Sequence, residues 1–228
     1  MKYQFYWPVL WEYRGLLLEG LKITLVLFVV GTVLSLALGI LFGSMGVARS
    51  RVMRAIGEIY VEINRNTPLV VKLFFLYFAF GLSEYQAAIV GLAMHQSAYM
   101  AEIVRSGIES VGVGQMEAGL SSGLPRLQVI RKIILPQGLI IVIAPLTTQV
   151  LETLKNTSIA MTISIPELTF QTQQIEAYSF RGFEAATAAT LMYLAIGVSV
   201  AVVAMWLEHW FVRRRSQVRL PISVQVEA

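Results

Sequence analysis

The sequence predicts an all-α integral membrane protein with five transmembrane helices, and three observations lead there. The chain has 228 residues, of which 56% are hydrophobic and only 14% charged, whereas a soluble domain carries about 25% charged residues. Two segments, residues 23–42 and 185–207, are apolar over the length that crosses a hydrocarbon core. The basic residues fall in short clusters beside apolar runs, the pattern of cytoplasmic loops. The net charge of +4 is therefore read as membrane topology, and no nucleic-acid partner is expected.

The first span, 16–46, is broken only by isolated Thr and Ser residues within its apolar run. Pro8, Glu12, Arg14 and Glu19 precede that run, which is longer than a signal-peptide core, so no cleaved leader is expected. The second span, 53–82, carries Glu62, Asn64, Arg65, Asn66, Thr67, Pro68 and Lys72. The third, 86–108, carries His95, Gln96, Ser97, Tyr99, Glu102 and Arg105. The fourth, 132–165, carries Pro136, Pro145, Gln149, Glu152, Lys155 and Asn156. The fifth, 183–212, is apolar again. Ionisable groups at membrane depth are costly and face protein or a water cavity. Spans two to four are thus expected to wall a pathway, and spans one and five to face lipid. The whole chain, 1–228, reads as one domain.

Five spans put the termini on opposite sides. Arg49, Arg51 and Arg54 follow span one. Arg105, Arg126, Arg131 and Lys132 lie between spans three and four. Arg213, Arg214, Arg215 and Arg219 follow span five. These segments share one face and hold eleven of the eighteen basic residues; Lys2, Arg14, Lys22, Lys155 and Arg181 are on the other. The positive-inside rule makes that topology N-out, C-in.

The loop at 109–131 is the most specific feature. It reads Glu117-Ala118-Gly119, then Gly123-Leu124, then Ile133-Ile134-Leu135-Pro136. Its spacing matches the EAA loop of ABC importer permeases throughout, with Gly119 at a position usually held by alanine. Further segments resemble polar amino acid permeases of the histidine, glutamate and arginine type: Asn64-Arg65-Asn66-Thr67-Pro68-Leu69, Ala98-Tyr99-Met100-Ala101-Glu102-Ile103 and Lys155-Asn156-Thr157-Ser158. Together they cover roughly residues 15 to 210.

The resemblance implies a type I ABC importer fold with a cytoplasmic coupling helix, in a bacterial inner (cytoplasmic) membrane. It implies a second permease subunit, identical or paralogous, a pair of ATPase subunits and an extracytoplasmic amino-acid-binding protein. Glu117, Ala118, Gly119, Gly123 and Leu124 would couple to the ATPase. Cofactors are expected only there, as ATP and Mg, because this chain has no Gly-Lys dipeptide and so no phosphate loop. It also lacks cysteine, which excludes a thiolate metal site, and no nucleophile–base set marks it as an enzyme.

A zwitterionic substrate needs donors for its carboxylate and acceptors for its ammonium. The candidates are Thr67 and Lys72 on span two, His95, Ser97 and Tyr99 on span three, and Gln149, Asn156, Thr157 and Ser158 on span four. Each has a structural reading too. Lys72 snorkels to the outer interface, Arg65 pairs with Glu62, Glu102 pairs with Arg105, Tyr99 only packs, and His95 is a hydrogen-bonded structural histidine. Asn156 stands where the family often has aspartate, and Lys72 where it often has glutamine. Both changes favour an acidic or broad-range amino acid such as glutamate or aspartate. The alternative is an autonomous secondary transporter or channel without an ATPase, although no internal repeat points to one.

Overall fold

A computed structural model of the chain describes residues 3–216, so Lys2 and Arg219 of the charge pattern lie outside the described residues. These residues are all-helical, with no strand among them. A short α1 (Pro8–Glu12) leads into the long α2 (Arg14–Gly46). α3 (Arg51–Asn66) and α4 (Leu69–Phe74) return, and a π-helical turn (Phe75–Ala79) ends that limb. α5 (Glu84–Glu109) is followed by α6 (Val113–Ser121) and α7 (Arg126–Val129). α7 continues through a π-helical stretch (Ile130–Ile134) into α8 (Leu135–Asn156) and a 3-10 segment (Thr157–Ile163). α9 (Leu168–Ser179) and α10 (Gly182–Ser216) complete the chain.

Among the described residues, three helices are long and apolar enough to cross a membrane: Arg14–Gly46, Arg126–Ile163 and Gly182–Trp210. They coincide with expected spans one, four and five. Expected span two divides. Thr67 is extended, the conformation favoured before a proline, and the helix stops at Asn66 and restarts at Leu69. α5, the expected third span, starts at a capping box in which Ser83 and Gln86 exchange side-chain-to-backbone hydrogen bonds.

α5 is the central post. α2 runs parallel to it, Gly31 facing Leu92, Gly39 facing Met100 and Gly43 facing Ala101. A Cβ added at Gly43 would lie 2.5 Å from the Ala101 carbonyl oxygen, and one at Gly39 2.7 Å from the Met100 Cβ. Gly31, Ser35, Gly39 and Gly43 thus form a small-residue stripe at four-residue spacing, which lets two apolar helices approach closely. The expectation that span one only faces lipid needs correction: one face carries this seam, while Val29, Val33 and Ile40 are exposed on the other. α8 packs antiparallel on α5, closest where Gly107 meets Gly138 and Val142. α3 and α4 return along a third side of α5.

At the opposite end from α6, the buried Glu167 caps α9. It accepts from the Phe170 and Thr169 amides at 2.8 and 2.9 Å and from the Tyr193 hydroxyl at 2.8 Å. Burial pushes this carboxyl above the usual carboxylate range, against the pull of those donors.

Candidate functional site: a helical hairpin and a polar seam

The loop motif forms a helical hairpin. α6 ends in a Schellman closure: Gly123 N–H donates to the Leu120 carbonyl at 3.0 Å and Leu124 N–H to the Gly119 carbonyl at 3.2 Å. This requires a left-handed residue, and Gly123 supplies it at φ +79°. Pro125 then starts α7, where a missing amide costs nothing. Val111, Val129 and Ile134 form a small core, with Met116, Leu124 and Ile133 packed on it. Gly119 is buried in that contact. A Cβ there would sit 2.8 and 2.9 Å from the two Val129 methyl groups, so glycine at the third motif position matches the bulk of Val129 opposite. Glu117, Ala118, Leu120, Ser121 and Ser122 lie on the exposed side. Leu120 is 42% exposed on the same side, an outward apolar side chain that the motif spacing does not single out.

The expected substrate residues form two groups separated by α5. On the α3–α4 side, Lys72 Nζ donates to the Asn64 carbonyl at 2.5 Å and meets His95 Nδ1 at 3.1 Å. His95 and Tyr99 pack edge to face, with ring centroids 5.3 Å apart, and the Arg65 guanidinium lies 5.6 Å above the Tyr99 ring. Arg65 pairs with Glu102 at 3.8 Å, which also pairs with Arg105 at 2.5 Å. The expected Arg65–Glu62 pair does not form; Glu62 accepts from Asn66 instead. Asn64 was not among the candidates, yet its buried Oδ1 has no partner.

On the α8 side, Gln96 donates to the Gln149 carbonyl at 3.1 Å and to Thr153 Oγ1 at 3.2 Å. His95 and Gln96 serve different neighbours because successive helical residues point about 100° apart. Gln149, Glu152 and Asn156 share one face of α8. The other candidates are engaged locally. Thr67 Oγ1 donates to the Ile63 carbonyl, Thr157 Oγ1 to the Leu154 carbonyl and Ser158 Oγ to the Lys155 carbonyl. Ser97 bonds Tyr60 at 2.7 Å. Ser97 and Thr157 are fully buried within the chain. Ser158 borders a mainly apolar groove of about 600 Å³ between α8 and α10, lined by Leu151, Leu154 and Leu194 among others. That lining does not suit a zwitterion. No His/Asp/Glu cluster able to hold a metal occurs among the described residues.

A family model for the binding-protein-dependent transport system inner membrane component matches residues 35–217. The chain belongs to this family. The inner membrane component is 35% identical to the glutamine transport system permease protein GlnP of Escherichia coli, over 90% of this chain and 97% of that protein. It is 27% identical to the glutamate/aspartate import permease protein GltJ of Escherichia coli, over 92% and 89%. A crystal structure of an amino acid ABC transporter with histidines superposes with a TM-score of 0.83 at 26% identity, covering 91% of this chain and 99% of that one. The fold is that of type I ABC importer permeases, with the α6–α7 hairpin falling within the matched residues.

Proposed function

We propose that the chain is the permease subunit of an ATP-driven amino acid importer, taking a polar L-amino acid from an extracytoplasmic binding protein to the cytoplasm by alternating access. The single observation that carries this reading is the α6 hairpin, rigid at Gly119 and Gly123 and outward-facing at Glu117, Ala118 and Leu120. It serves as the contact to a separate ATPase pair, which holds ATP and Mg. A second permease subunit completes the cavity. The chain crosses the membrane five times, N-out and C-in, at about 16–46, 53–82, 86–108, 132–165 and 183–212, with the coupling loop at about 109–131. The sequence lacks cysteine, so single-cysteine labelling tests this directly: Ser122→Cys reacts only from the cytoplasm and Tyr178→Cys only from outside.

The acidic or broad-range expectation rested on Asn156 in place of aspartate and on positive charge at Lys72 and Arg65. The two cations have internal partners, Asn64 with His95, and Glu102, so that part of the support falls away. The greater identity to a permease named for glutamine than to one named for glutamate and aspartate favours a neutral polar substrate. Gln149 and Asn156, a carboxamide pair on one α8 face, suit its side chain. The test is ATPase stimulation of the reconstituted importer by binding protein loaded with glutamine or glutamate. Glutamine should stimulate more; stimulation by glutamate alone would sink the substrate reading and leave the permease reading intact.

A further inference from the structure

The N-terminal segment is strapped to the start of α10 across the full length of the chain. The Tyr3 hydroxyl donates to Glu184 Oε2 at 2.5 Å and the Tyr6 amide to Glu184 Oε1 at 2.7 Å. Arg181 donates to the Gln4 carbonyl at 2.7 Å and pairs with Glu184 at 3.7 Å. Glu184 is completely buried. Val9 and Leu17 hold the inner side of this segment against Leu168 and Ile175. The outer side is aromatic: Phe5 and Trp7 stack at 5.3 Å, and Trp11 is 72% exposed.

We propose that residues Tyr3–Trp11 form an interfacial anchor, seated in the lipid headgroup layer on the side of the membrane opposite α6 and latched there by Glu184. The proposal rests on the reading of α2 as a spanning helix. Continuity identifies the occupant. Trp11 lies seven residues before Leu18, and the exposed apolar stripe runs on through Leu25, Val29 and Val33. The aromatic patch is therefore the rim of the lateral, lipid-facing surface. Trp and Tyr, apolar with a polar edge, are the side chains enriched at that depth. The cations fit as well: Arg14 lies 4.5 Å from the Trp11 ring and donates to the Trp11 carbonyl, and Arg181 lies 5.6 Å from the Tyr6 ring. Each guanidinium lies over its ring, a cation–π placement suited to a boundary between apolar and polar surroundings.

The chain has four tryptophans, at positions 7, 11, 206 and 210. Replacing Trp206 and Trp210 by Phe leaves the anchor as reporter. The full chain, purified with its partner subunits, is placed in nanodiscs of phosphatidylethanolamine and phosphatidylglycerol. Nitroxide lipids labelled at different depths, and aqueous iodide, then serve as quenchers. Quenching should peak for labels roughly 5–10 Å below the phosphates and be weak at the bilayer centre. A second chain, with all four tryptophans replaced by Phe and Val29→Trp added, should be quenched at the bilayer centre. If Val29→Trp escapes every lipid quencher, the spanning reading itself fails. If Val29→Trp is quenched but Trp7 and Trp11 respond only to iodide, or to neither quencher because protein covers them, the anchor is overturned. Glu184→Ala, with Tyr3→Phe as a milder variant, should move Trp7 from lipid quenching toward iodide. Unchanged depth in both overturns the latch.

Discussion

The α6–α7 hairpin and the α2–α3–α5 seam use glycine alike and place their charges differently. In the hairpin, glycine sets the shape, Gly119 by close approach and Gly123 by its left-handed turn, and the polar Glu117 is left outside. Along the α2–α3–α5 seam, glycine closes the gaps at Gly39 and Gly43, and charges turn toward one another, as in Arg65–Glu102–Arg105. One surface leaves its carboxylate exposed; the other pairs its charges within the chain, with the buried Asn64 Oδ1 left unmatched. A charged residue at membrane depth is thus weak ground for a substrate contact until its partners are known.

The contrast breaks most visibly at Gly43. A valine there meets the Ala101 carbonyl and Val104, and backbone does not yield as a side-chain tip does. Overpacking a well-packed core costs about 1–3 kcal/mol, so Gly43→Val should lower the unfolding temperature and the yield of assembled complex. Wild-type assembly would show that the helices are not held at this distance.

Next in size is Gly123→Pro. Proline fixes φ near −65° and removes the amide that closes onto Leu120. The chain should insert normally while substrate-stimulated ATPase activity falls to the basal rate. Normal coupling would contradict the hairpin's role.

How much of this was legible in the sequence depended on whether the cause was local. The hairpin was readable because Gly123, Pro125 and Leu135-Pro136 act through their own backbone geometry at fixed spacing. The break at Thr67-Pro68 was signalled by its proline, although Pro136 and Pro145 lie within α8 without breaking it. The seam on α2 was also in the sequence, as Gly31, Ser35, Gly39 and Gly43 at four-residue spacing, but the apolar run was read for lipid and not for a partner helix. The Glu184 latch was not legible, because its donors stand at positions 3 and 6. The sharing of candidates between two sides of α5 was also hidden, since it depends on which neighbour each face of that helix meets.

Smaller effects sharpen the comparison. Gly119→Ala should weaken coupling by crowding Val129, and Val129→Ala should restore it in the double variant. Contacting pairs couple by about 0.5–3 kcal/mol, and strictly additive losses would argue against the contact. Glu102→Gln removes the shared partner of Arg65 and Arg105. All three side chains are more than a third exposed, so the cost in thermal stability should stay below about 1 kcal/mol. A larger loss would mean the seam is drier in the assembled transporter than in the single chain.

The central claim, that α6 is where an ATPase takes hold, is tested most directly by cross-linking. Ala118→Cys would be the chain's only thiol. In membranes containing the partner ATPase, a short bifunctional reagent should join position 118 to that subunit, with a yield that changes on adding ATP. The control Tyr178→Cys should give no such product. A chain that transports its amino acid while position 118 never cross-links, or that transports with the ATPase absent, would contradict the account.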